Sequence, residues 1–306
     1  MKKMNHTKWS CRTAMILIVA VLAIGFGNNT ALAEQEISES GSASAKGMVY
    51  VENLAGSVKI KGWDKNEIEV TGTLDEKAKK LNFETGKKKS IIEVVYPRRV
   101  KNIEEGSHLV IMIPRGSSLE VECVSADVEI SGVEGHIEVE AVSSNVEIDG
   151  PCLSTDVDVI SGSVTLTDPG EEVEVDCISG QVQITGHQAD VRVESISGEV
   201  SLDFDLFRNL SVESISGTMR ISGDLDSSGS FALDLHSGNL ILMVPSKVSA
   251  DFEAHTFSGD IETDFGYEGE KTSKYLPGQE LEFSTGGGGA DVEINTFSGD
   301  INIRKK

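Results

Sequence analysis

The side chains best suited to chemistry recur at a fixed step. Carboxylates come in pairs two residues apart, Glu120/Glu122, Glu138/Glu140, Asp156/Asp158 and Glu174/Asp176, each 18 residues after the last, until Arg192/Glu194 breaks the series. Paired carboxylates can hydrolyse glycosides at suitable separations, and hard carboxylate oxygens suit calcium. A serine keeps a similar step at 125, 143, 161, 179, 197, 216, 237, 258 and 298. A serine becomes a nucleophile only beside a positioned base, and no histidine keeps step with these. His108, His136, His187, His236 and His255 are scattered, with no His-Glu-x-x-His pair. Gly286 to Gly289 lacks the Lys-Ser/Thr ending of a phosphate loop, and no dinucleotide glycine pattern precedes a helix. Every candidate therefore reduces to the repeat itself. No catalytic, cofactor-binding or metal-ligating residue is expected, and no cofactor.

The repeat defines the elements that carry these groups. With the corner glycine as position zero, the corners fall at Ala126, Ser144, Gly162, Gly180, Gly198, Gly217, Gly238, Gly259 and Gly299. The steps are 18, 18, 18, 18, 19, 21, 21 and 40 residues. Aliphatic residues stand at minus seven and minus five, as in Val173 and Val175, and at plus two and plus four, as in Val182 and Ile184. Period-two alternation on both sides of a corner means two short strands per coil, each with one face inward. A coil cannot bury its apolar side alone, so coils stack to share one core. The expected fold is all-β, a single-stack parallel β-solenoid of coils of about 18–21 residues, with a less regular N-terminal β region. A left-handed hexapeptide helix also fits an 18-residue coil, but its six-residue aliphatic rule fails at Glu172 and Asp190. A β-sandwich is the fallback, although it does not demand a strict register. On the solenoid, the serines form a structural corner ladder, and the paired carboxylates form two acidic columns with like charges about 5 Å apart. Weak binding of divalent cations is one use of such a face, although the nonapeptide of calcium-binding β-rolls is missing. Cys123 and Cys177 share one repeat position three coils apart, about 14 Å by strand spacing, too far for a disulfide. Together with Cys152 they leave an odd thiol count after the leader.

The chain organises around this body. Residues 1–33 read as a signal peptide: Lys2, Lys3, Lys8 and Arg12, an apolar run from Ala14 to Phe26, then Ala31-Leu32-Ala33. The whole chain carries −23, and losing four basic residues and no acid leaves about −27, which excludes nucleic acid as a partner. Residues 34–46 read as a flexible linker, 47–116 as an N-terminal β region with the first coils, and 117–306 as the repeats. A hairpin or cap is expected at 264–290, where Pro277-Gly278 and the glycine run interrupt the register. Residues 61–101 hold eleven basic and seven acidic groups, whereas 117–250 hold four and twenty-five. That asymmetry makes self-association, basic end to acidic body, a further expectation.

The Ile-Ser-Gly-x-Val corners, the stretches Leu240–Ile261 and Gly289–Ile303, Asn53–Trp63 and Leu109–Pro114 together resemble the bacterial putative-adhesin family. The resemblance spans nearly all of the chain after the leader and implies a β-solenoid domain with no catalytic residues to carry over. The resulting expectation is an exported, non-enzymatic adhesin or cell-envelope scaffold in the periplasm, at the cell surface or outside the cell. Its partner would be an envelope protein or glycan. The alternatives are a polysaccharide-acting β-helix enzyme and an envelope-stress or assembly accessory.

Overall fold

In-register pairing governs the body of the protein. The computed structural model describes residues 35–100, 103–272 and 277–306. The expected leader at 1–33 lies outside them. Strand Ser154–Thr167 pairs in parallel with the first part of Glu172–Leu225, matching Val157 to Val175, Gly162 to Gly180 and Leu166 to Ile184. The same register joins Ser118–Ser131 to His136–Ser143 and Val146–Asp149, and Ser230–Val244 to the end of the long strand. The result is an all-β, mostly parallel, solenoid-like sheet, with no helix among the described residues.

The alternation predicted from sequence is the burial pattern observed. Val51, Val121, Val139, Val157, Val175, Val193, Val212 and Ile294 are fully buried and lie along one interior column. Burying a side chain of this size stabilises by about 1.5–3 kcal/mol, and stacking like residues in register lets neighbouring coils share one core. At each corner the phase shifts because two consecutive residues, such as Ile160 and Ser161, both face outward. The first of them drops out of the ladder: Val159 pairs with Cys177 and Ser161 with Ser179, while Ile160 and Ile178 are skipped. Glycine then follows for a steric reason. Gly180 sits at φ +150, and a Cβ there would lie 1.7 Å from the carbonyl oxygen of Gly162. Where the corner is Ala126 or Ser144, φ is not positive. Beside these corners Asn145 bridges coils, donating to Asp127 Oδ1 and accepting from the amide and hydroxyl of Ser163.

Both ends depart from chain order. Strand Met48–Trp63 pairs on one side with Ser118–Ser131 and on the other with Lys89–Val95 and Ser107–Pro114. The first coil in sequence is therefore second in space. At the other end, Ser230–Val244 pairs with Ala290–Ser298 and Ile301–Lys305, which pair in turn with Ala250–Ser258 and Ile261–Thr263. The last coil in sequence thus lies inside the stack, not after the 250–263 coil. Strand Gln279–Thr285 runs antiparallel along the outer edge of Ala250–Ser258, and it also pairs antiparallel with Glu270–Lys271. At the N-terminal end Lys80–Glu84 covers Lys89–Val95. There Glu67–Leu74 covers Ser107–Pro114 and is itself covered by Gln35–Ser42. Antiparallel covers occupy strand edges that would otherwise invite pairing with another chain. The expected linker at 34–46 is therefore corrected: its residues 35–42 form a fully paired strand. Coil 48–63 pairs directly with 118–131, and Glu34–Lys306 forms one compact unit.

Candidate functional site: a groove between an acidic wall and an apolar ridge

The outward side of the first strands carries three columns. Minus six and minus four are the paired carboxylates, and the structure stacks them as expected: Glu120 and Glu122 pair with Glu138 and Glu140, then Asp156 and Asp158, then Glu174 and Asp176. Minus two is the residue skipped by the ladder. It is occupied by Val124, Val142, Ile160, Ile178, Ile196 and Ile215, exposed by 39–53%. The series continues in rings: His236, Phe297 and Phe257 stack with centroids 4.9 and 5.0 Å apart and planes 5° from parallel. Between wall and ridge runs a floor of minus-three residues, among them Cys123, Ala141, Val159 and Cys177. Wall, floor and ridge enclose a groove of about 1110 Å3 that runs past nine coils, from Glu52–Leu54 to Asn295–Phe297.

The outer column of the wall is partly compensated, Lys89 reaching Glu120 and Arg192 reaching Glu174, whereas the inner, minus-four column is largely not. Glu194 is paired with Arg192, and Tyr50 donates to Glu52. Among the described residues, Glu122, Glu140, Asp158, Asp176 and Glu213 have no cation within 4.0 Å, and Asp176 Oδ1 is shielded from solvent without a donor. Burial, then the neighbouring Glu122, Asp158, Glu138 and Glu120, raises the Glu140 carboxyl above its ordinary range. Burial and then Glu194, Asp158 and Glu174 do the same for Asp176, with Arg192 opposing. In the outer column Asp156 is pushed up to about 6 by burial, then by Asp158, Glu174, Glu138 and Asp176. Each cost arises from desolvation plus like charges in line.

Catalytic and metal chemistry find little here. Among the described residues two exposed serine–histidine contacts exist, Ser57–His108 at 2.9 Å and Ser154–His136 at 2.6 Å. Neither involves a corner serine, and among the described residues neither histidine has a carboxylate within 4.0 Å to orient it. The triad logic of nucleophile, base and orienting acid is incomplete. Among the described residues no three His, Cys, Asp or Glu side chains converge to hold a metal ion. Stacked columns spread carboxylates along a line, whereas a cation needs them around a point. Cys123, Cys152 and Cys177 are free thiols, and burial raises all three above the usual thiol range, Cys123 to about 12.

Sequence reasoning found the acidic wall and missed the apolar ridge. The signal was present. Minus two has the same outward parity as minus four and minus six, so an aliphatic recurring there through six coils had to be exposed once the strands were assigned. The ring ladder was hidden by chain order, since Phe297 comes between His236 and Phe257 only because coil 290–305 is inserted.

Stacked coils around a continuous aliphatic core, with function left to the outward columns, define the class as a β-repeat protein of solenoid-like build. The chain belongs to the Toastrack DUF4097 family, whose pattern matches residues 49–304. No curated protein matches it. Among solved structures, a putative cell adhesion protein from Clostridium sporogenes ATCC 15579 is similar at 13% identity, with 89% of this chain and 100% of that one covered and a TM-score of 0.25. A putative adhesin from Parabacteroides distasonis ATCC 8503 is similar at 9% identity, with 89% and 97% covered and a TM-score of 0.35. One from Bacteroides fragilis NCTC 9343 is similar at 10% identity, with 90% and 99% covered and a TM-score of 0.33.

Proposed function

We propose that this chain is an exported, non-enzymatic binding module of the cell envelope, a single-stack solenoid that uses its first-strand face for adhesion or scaffolding. One observation carries the reading: along a groove that passes nine coils, an exposed apolar ridge runs beside an acidic wall in which Glu122, Glu140, Asp158, Asp176 and Glu213 have no cation among the described residues. A solvated surface rarely keeps a contiguous apolar strip, and such strips mark interaction sites. In-line carboxylates are likewise unfavourable for folding, so their retention through four coils needs a use outside the fold. Export is supported by the charged, apolar and Ala-x-Ala order of residues 1–33.

The test combines mass spectrometry of the protein recovered from the producing cell with co-sedimentation on purified envelopes. The expected results are an N-terminus at Glu34 and retention that is lost in Ile160→Ser/Ile178→Ser/Ile196→Ser. Retention untouched by those changes, or turnover of a polysaccharide panel, would overturn the reading.

A further inference from the structure

The groove has two unlike sides. Running along it, perpendicular to the strands, one side offers carboxylates and the other offers aliphatic side chains, while the floor between them is narrow. Nine coils at strand spacing span about 38 Å. An extended polypeptide of about 12 residues covers that length at about 3.3 Å per residue, and its side chains alternate between two opposite directions. A chain alternating basic and aliphatic residues would therefore set all its cations against the wall and all its apolar groups against the ridge. We propose that the groove binds an extended cationic polypeptide segment in which Lys or Arg alternates with aliphatic residues. This deepens the binding-module reading and rests on it.

Charge complementarity selects this occupant. Five wall carboxylates lack a cation among the described residues, and Asp176 Oδ1 lacks any donor. At the N-terminal end of the floor Asn53 is fully buried; its amide nitrogen donates to Ser107 O, but its Oδ1 is unpartnered. That oxygen is an acceptor left without a donor at the end of the groove. The ridge supplies what a purely ionic site would not need. A glycan platform is disfavoured by the rings, since His236 and Phe257 cover both faces of Phe297 and lose one face each to it, and sugars would need those faces open.

The test uses the full chain and a fluorescent alternating Lys-Leu peptide of about 12 residues, followed by anisotropy at physiological salt. Three control peptides accompany it: alternating Glu-Leu, alternating Lys-Ser, and Lys and Leu in two separate blocks. The alternating Lys-Leu peptide should bind about tenfold more tightly than any control. Asp158→Asn/Asp176→Asn/Glu213→Gln and Ile160→Ser/Ile178→Ser/Ile196→Ser should each weaken it about tenfold. All six positions line the outward groove, and unchanged circular dichroism with a melting temperature no lower than the parent's will show that the variants are folded. The proposal falls if the alternating and block peptides bind alike, if only the wall variant matters, or if the peptide does not bind. A ridge-dependent dimer without peptide binding would name a second copy as occupant and also overturn it. Should envelope retention remain ridge-dependent while the peptide fails to bind, the binding module stands and this occupant is wrong.

Discussion

The two strands of each coil share one core and differ outside it. On the second strands the outward residues settle into compensated pairs. Lys59 meets Glu129 at 2.5 Å, Gln181 and Arg220 both reach Glu199, and Asn145 links Asp127 to Ser163. Glu129 is accordingly held below the usual carboxylate range by its hydrogen bond to Lys59. Where that column leaves charge behind, Thr165 pairs with Gln183. On the first strands, Glu122, Glu140, Asp158 and Asp176 stack in line with aliphatics beside them, and the carboxyls whose titration moves are raised. Both exteriors rest on the same stacked valines. The comparison teaches that the fold can pair outward positions, as it does at these second-strand sites, so the inner first-strand column left without cations is shaped by something other than folding.

The largest effect should come from the feature common to both faces. Gly180→Val places a side chain against the Gly162 carbonyl at a φ only glycine adopts readily. It should cost about 3 kcal/mol or more, and a thermal melt should fall by roughly 6 °C or more. If the variant melts like the parent, the corner ladder is not what holds the coils together.

Neutralising the wall comes next, and its sign separates the faces. Glu122→Gln/Glu140→Gln/Asp158→Asn/Asp176→Asn should stabilise by about 2 kcal/mol at low salt, since each in-line pair costs about 0.2–1 kcal/mol. Added salt should shrink that gain. Glu129→Gln on the other face should destabilise by a few tenths of a kcal/mol, because it loses an exposed ion pair. Equal signs for the two would erase the comparison.

A smaller effect follows pH. Asp156 titrates near 6 in the folded protein against 3.8 for an ordinary aspartate, so the folded state holds the proton more tightly. Its contribution to stability is full below about pH 4 and is lost as pH rises through 6. Melting temperature should therefore rise by about 1–2 °C on going from pH 7 to pH 5. Asp156→Asn should remove part of that rise.

Much of this was legible in the sequence, and the failures have physical reasons. Val157, Val175 and Val193 announced the inward face because a fixed step and a period of two leave one solution. The insertion of coil 290–305 could not be read, because every coil offers the same ladder to every other. Val292 matches Phe231 and Phe252 equally well, and the choice is made by the antiparallel cover at 279–285. Strand Gln35–Ser42 has only Ile37 as a large apolar residue, so its order comes from the partner edge of Glu67–Leu74 and not from its own pattern. The ridge was missed for a third reason: an isoleucine beside Ser-Gly reads as part of a turn until the parity of the strand is followed through it.

The central claim is that the first-strand face is built for contact and the second for stability. The most direct measurement sets two triple variants side by side, Ile160→Ser/Ile178→Ser/Ile196→Ser and Thr165→Ala/Gln183→Ala/Ser201→Ala, scoring melting temperature and retention on purified envelopes. The account predicts that the first loses retention with its melting temperature nearly unchanged, each exposed change being worth within about 0.5 kcal/mol, and that the second keeps retention. Loss of retention in both variants alike, or unfolding of the first, would contradict it.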